Sequence, residues 1–219
     1  MKTLARPADL GPYGPPIWDH ADAMGNEPYD QAASDQESLD DALVRARSGD
    51  EAGFLRLWRE LHPRLLRYLR VLNRDDADDV ASETWLQVVR DLHRFNGGED
   101  DFRRWLFTIG RHRAVDAGRA RARFRSRLGH ADVDSVVDEH LVETQVLDDL
   151  STSRAVTLVA GLSRDQAEAV ALRIIAGLDT AAVARILGKS PGAVRIALHR
   201  GLRALAADPR LRALKEVNR

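Results

Sequence analysis

The chain contains no cysteine. Disulfides and thiolate metal sites are therefore excluded, and a reducing compartment fits. Long apolar runs are missing too. None approaches the roughly 20 residues that a bilayer-spanning helix needs. The opening MKTLARPADLGPYGPP has no apolar signal-peptide core, so a cytoplasmic protein is expected. Lysine is scarce beside arginine and alanine is abundant, a compositional hint of a GC-rich genome. Proline thins out after the amino terminus: five of the eight are Pro7, Pro12, Pro15, Pro16 and Pro28. Residues 1–37, with Gly11, Gly14 and Gly25 among those prolines, read as a loosely attached acidic extension. A docking segment using Tyr13, Ile17, Trp18 and Tyr29 is the alternative.

The net charge is only −1, but it is unevenly laid out. Residues 1–52 carry −7, 53–100 carry −1, 101–128 carry +7, 129–153 carry −7 and 154–219 carry +7. Two basic blocks on either side of an acidic connector suggest two contact surfaces for a polyanion. The first block, DFRRWLFTIGRHRAVDAGRARARFRSR (Asp101 to Arg127), has nine arginines against two acids, with Phe102, Trp105, Leu106, Phe107 and Ile109 at its start. It reads as one helix with an apolar stripe and a guanidinium surface.

Helical spacing dominates the rest, and no strand candidate interrupts it. Ser38 caps a short helix with Leu39, Ala42, Leu43 and Ala46 on its apolar side. Glu51 to Leu72 follows, with Phe54, Leu57, Trp58, Leu61, Leu65, Leu66 and Leu69 in register. Pro63 is expected to kink it. Asp76 to Phe95 forms the next helix, with Val80, Trp85, Leu86, Val88, Val89 and Leu92 as its apolar residues. Acids in its first turn suit the positive end of a helix dipole. A cation site in NRDDADD is disfavoured, because the central glycine of an EF-hand loop is missing. Residues 38–127 are therefore expected to form one all-α domain, and residues 128–153 an acidic linker with some helix around Val137 to Leu150.

Residues 154–219 carry a helix–turn–helix signature. One helix ends at Gly161. A second starts after Ser163, with Ala167, Val170, Ala171, Ile174 and Ile175. A short helix after Asp179 holds Ala181, Val183, Ala184 and Leu187. Gly188 turns the chain and Ser190 caps a longer basic helix with Pro191 in its first turn. Val194, Ala197, Leu198, Leu202 and Leu205 are expected to face inward. This geometry places a helix N-terminus in a major groove.

ADDVASETWLQVV (Ala77–Val89), FRRWLFTIGRHRAVDAGRAR (Phe102–Arg121) and the stretch Leu162–Leu205 together resemble the extracytoplasmic-function (ECF) sigma factors of bacterial RNA polymerase. The resemblance covers about residues 40–125 and 154–206. Ser82 stands where the family often has Gln, and Gly110 and Arg113 replace a common Ala and Asn. The resemblance implies a non-catalytic promoter-specificity subunit without cofactor or metal. Its expected partners are the polymerase core, promoter DNA and an anti-sigma factor. Asp76, Asp78, Asp79, Glu83, Trp85 and Val89 are then expected on a coiled coil of the largest polymerase subunit, although Trp85 fits a core position almost as well. The loop with Arg94, Phe95, Asn96 and Gly97, together with Arg103, Arg104, Arg111, Arg113 and Arg119, is expected to hold the melted −10 strand. Lys189, Ser190, Gly192, Ala193, Arg195, His199 and Arg200 are expected at the −35 duplex. The acidic linker suits a channel built for nascent RNA, or simply a spacer repelled by DNA.

Two other classes compete. An autonomous helix–turn–helix regulator would bind duplex DNA tightly alone. A metal-dependent nuclease would need Asp75, Asp76 and Asp79 to converge, and no second catalytic set accompanies them.

Overall fold

The computed structural model describes residues 38–128 and 146–211, and every described element is helical. The amino-terminal extension and residues 129–145 of the expected linker lie outside the described residues. The helices are α1 (Leu39–Arg47), α2 (Glu51–Leu72), α3 (Ala77–Asp91), α4 (Glu99–Leu128), α5 (Val146–Ala160), α6 (Arg164–Val170), α7 (Thr180–Leu187) and α8 (Pro191–Ala207). All belong to one compact unit, Leu39–Arg219. Among the described residues no helix is long and apolar enough to cross a membrane.

The first four helices form because their apolar residues recur on one face. In α2, Leu57, Leu61, Leu65, Tyr68 and Leu69 are buried, and the Asp50 side chain caps its start by accepting from the Ala52 amide at 3.0 Å. The helix runs as one 22-residue segment through Pro63, which lies on its exposed side. Against α2 lie Ala42, Leu43 and Ala46 of α1, Val80, Ala81, Trp85 and Val88 of α3, and Phe102, Leu106 and Phe107 of α4. A 3₁₀ turn, Leu92–Arg94, follows α3.

Two glycines set the closeness of this packing. A Cβ on Gly53 would lie 2.7 Å from the Ala42 carbonyl oxygen, and one on Gly110 would lie 2.9 Å from Leu65 Cδ1. Gly110 therefore lets α4 sit directly on α2.

Helix α4 starts two residues before the expected Asp101. Its first amide, Glu99 N–H, donates to the Asp40 carboxylate at 2.6 Å, so α1 supplies the acceptor for the start of α4. Helix α5 begins at Val146, so the last part of the expected linker is already helical.

The carboxy-terminal helices pack on α2 and α4, and one apolar core runs through both groups. Helix α6 runs into a π-helical turn, Ala171–Ile175, with the Ala176 amide donating to the Ala171 carbonyl at 3.1 Å. This wider turn shifts the register. Ile174, expected inside with Ile175, points outward at 62% exposure. Leu202 also departs from expectation and is largely exposed. Gly201 holds the buried position instead, where a Cβ would meet Val170 Cγ2 at 2.9 Å.

Candidate nucleic-acid interface

The carboxy-terminal surface is built by two caps and a turn. The Asp179 side chain accepts from the Ala182 amide at 2.6 Å and starts α7. Gly188, at φ +63°, reverses the chain in the left-handed region that glycine adopts without a Cβ clash. Ser190 Oγ then accepts from the Ala193 amide at 3.2 Å and starts α8. Val194 and Gly201 pin α8 down. Gly192, Ala193, Arg195, His199 and Arg200 are left exposed, with Arg203 beside them. None of Arg195, His199, Arg200 and Arg203 has an acidic partner among the described residues. Lys189 does: it pairs with Asp165. An exposed helix N-terminus followed by unpaired cations suits phosphate and base edges.

The other basic surface is different. Along α4, Arg103 pairs with Glu99 and Asp100, and Arg104 with Asp101 at 2.8 Å. Arg111 reaches Glu168 at 2.7 Å, Arg113 reaches Glu83 at 2.8 Å, and Arg119 reaches Asp116 at 3.4 Å. Arg121, outside the expected strand set, bonds Asn73 at 3.0 Å and Asp75 at 2.8 Å, and pairs with Asp76. It thereby ties the end of α4 to the start of α3. The five α4 arginines expected at the strand thus each have an intramolecular carboxylate. Any strand phosphate must compete for them.

The loop before α4 is organised by aromatic rings. Phe95 stacks on Trp105, with centroids 5.0 Å apart, and meets Phe102 edge-on at 5.6 Å. Phe95 and Trp105 are half-buried, so Phe95 is committed to the loop's own support. Asn96 and Arg94 remain exposed. Gly97, at φ +148°, carries the chain past Asp101, whose Cβ would be 2.7 Å from a Cβ on that glycine. The result is a rigid aromatic step with an amide side chain at its edge.

The acidic face of α3 is partly consumed within the molecule. Asp76 and Glu83 are held by Arg121 and Arg113, and Asp78 lies 3.8 Å from Arg70. Asp78 and Asp79 are exposed, and Val89 is half-buried. Trp85 has to be corrected as an exposed anchor: it is 6% exposed and packs edge-on to Phe54 at 5.7 Å, so burial decides for the core position. The exposed apolar groups here are Leu86 and Trp58, and Trp58 stacks on His62 at 4.5 Å. Burial holds the His62 imidazole below its ordinary value. Asp75 and Asp76 are both held by Arg121, and among the described residues no group of three metal-ligating side chains forms.

Comparison with known proteins fits this layout. The model of Sigma-70 region 2 matches residues 53–124, and that of Sigma-70 region 4 matches residues 153–205. The ECF RNA polymerase sigma factor ShbA of Streptomyces griseus is 34% identical over 83% of this chain and 98% of its own length. BldN of Streptomyces coelicolor is 33% identical over 80% of this chain and 67% of its own. SigD of Mycobacterium tuberculosis is 30% identical over 77% and 82%. Among solved structures, the sigma factor RpoE of Bartonella quintana, in complex with the anti-sigma factor NepR, aligns with a TM-score of 0.57 at 25% identity. That alignment covers 76% of this chain and 98% of RpoE.

Proposed function

Since this chain belongs to the ECF sigma factors of bacterial RNA polymerase, we propose that α8 reads the −35 duplex while the Phe95–Gly97 loop and the start of α4 capture the melted −10 strand. The protein directs polymerase to promoters and is not an enzyme. The observation carrying the division of labour is the contrast between the two basic surfaces. Helix α8 offers unpaired cations, ready for a duplex. Helix α4 holds its arginines in ion pairs that must be exchanged before a strand is gripped.

At the duplex, the Ser190-capped helix start and the amides of Gly192 and Ala193 take a phosphate. Arg195 and His199 reach base edges, and Lys189 and Arg200 sit on the backbone. At the strand, Asn96 offers a donor and an acceptor to an extruded base beside the Phe95–Trp105 stack. Unstacking that base costs a few kcal/mol, which such a pocket must return. The polymerase core meets the exposed side of α3, Asp78, Asp79 and Glu83, through basic residues of a coiled coil, with Leu86 and Trp58 as apolar contacts. The partners place the protein in the cytoplasm. RpoE's complex with NepR supports an anti-sigma factor for this chain as well.

Run-off transcription with purified core enzyme tests the reading: specific transcripts must depend on this protein. Arg195→Ala should lower −35-dependent transcription by roughly 5- to 150-fold, the equivalent of one base contact, while core binding is unchanged. Asn96→Ala should weaken permanganate reactivity of the promoter bubble while −35 protection persists. A normal bubble in that variant would remove Asn96 from the strand site.

A further inference from the structure

Helix α8 carries a large apolar side chain where the core has no use for it. Ile196 is 54% exposed. Val194 and Gly201, by contrast, are buried against the neighbouring helices. At about 100° per residue, Ile196 lies about 160° around the helix from Val194 and about 140° from Gly201. It therefore belongs to the outward face. Its helical neighbours there are His199 and Arg200, with Arg203 following, and all three are exposed. On the other side its neighbours are Gly192 and Ala193, small and also exposed. A helical side chain leans toward the amino terminus of its helix, so the isoleucine covers these two residues. Its branched Cβ restricts it to one strongly preferred rotamer. The leading end of the outward face thus bears a stiff apolar knob, with cations behind it. Leu202, the other exposed apolar residue of α8, is different. It borders the half-buried Leu198 and Leu205 and forms the margin of the core.

Isoleucine has nothing to offer a phosphate. In the major groove of B-DNA the apolar feature of the base edges is the C5 methyl of thymine, while the remaining edge groups are donors and acceptors. An apolar side chain pressed onto those groups strips their water and returns no hydrogen bond. Against a thymine methyl, the same side chain removes two apolar surfaces from water together. We propose that Ile196 reads a thymine of the −35 duplex through its 5-methyl group and rejects G·C pairs at that position by desolvation. Arg195 and His199 then recognise hydrogen-bonding edges, and Ile196 recognises a hydrocarbon. The −35 element must accordingly hold a thymine at one fixed position beside the pairs that those two residues read. The inference rests on the reading of α8 as the helix that enters the duplex.

Holoenzyme reconstituted with core polymerase tests it by selection from promoter duplexes randomised across the −35 region. The native chain should enrich thymine at one position. Ile196→Ala should lose the preference there and keep it elsewhere in the element. Deoxyuridine at that position then deletes the methyl and leaves every hydrogen-bonding group in place. It should weaken binding of native holoenzyme roughly fourfold, the worth of one buried methyl. Ile196→Ala holoenzyme should bind the thymine and uracil duplexes equally. Ile196→Val, which keeps the branched carbon, should show an intermediate penalty. Selection without a fixed thymine overturns the proposal, and so does native holoenzyme that accepts uracil at every selected thymine. Neither of these arms needs a variant. An equal uracil penalty in the native, Val and Ala proteins overturns it too, because another side chain then makes the contact. In each of these cases, a −35 preference that Arg195→Ala relaxes leaves α8 as the duplex reader. If the native protein selects no −35 sequence and Arg195→Ala changes nothing, the assignment of α8 falls and the role of Ile196 falls with it.

Discussion

Arginine side chains on this molecule have two kinds of neighbour, and the difference decides what each can do. On α4, Arg103, Arg104, Arg111, Arg113, Arg119 and Arg121 all meet carboxylates. On α8, Arg195, Arg200 and Arg203 meet none among the described residues. Glycine has a similar duality. Gly118 on α4 has nothing within 4 Å of an added Cβ, whereas Gly201 on α8 would press that atom to 2.9 Å from Val170 Cγ2. Gly118→Ala should therefore stabilise the fold by about 1 kcal/mol through helix propensity alone. At Gly201 the same gain is opposed by overpacking of about 1–3 kcal/mol, so Gly201→Ala should be neutral or destabilising by up to about 2 kcal/mol. Urea unfolding of the two variants side by side checks the sign difference. Equal effects would mean that α6 and α8 are free to move apart.

At the scale of elements, the caps matter most in the short helices. Helix α7 has only eight residues, and the Asp179 carboxylate satisfies its Ala182 amide. Asp179→Ala should cost about 1 kcal/mol, seen as a lower unfolding midpoint, because that amide then loses its acceptor. The existence of each described helix was legible from apolar periodicity and cap residues, as was the Gly188 turn; only the early start of α5, at Val146, fell in the expected linker. The exposed basic face of α8 was equally legible, since the outer face of a capped amphipathic helix follows from its spacing. What tertiary contacts decide was not. The acceptor for the start of α4 is Asp40, 59 residues upstream of Glu99. No local pattern marks that pair, nor Arg121 across Asn73 and Asp76. The π-helical turn moved Ile174 outward by inserting a residue into an otherwise regular pattern. Gly201 did leave a signal, a glycine inside a helical run, which marks a close helix–helix approach. Trp85 could not be assigned from spacing because an exposed anchor and a core ring occupy the same helical position.

For the whole molecule, the charge layout and the fold act together. Acidic residues of the described chain pair with six α4 arginines from within, whereas the arginines of α8 have no such partner among the described residues. Binding of the −35 duplex by holoenzyme should weaken with salt through counterion release. Arg200→Ala should reduce the slope of log affinity against log salt by about 0.9, the share of one phosphate contact. A slope equal to that of the native protein would take Arg200 off the backbone. The contact between Arg111 and Glu168 has a further consequence, because both belong to one chain. Leu128 and Val146 are 18 peptide steps apart, so the two groups of helices are tied to within about 60 Å of each other at that junction. One molecule in a sphere of that radius is an effective concentration of about 2 mM, whatever the protein's dilution. A contact far too weak to join two separate molecules is then enough to keep these helices together.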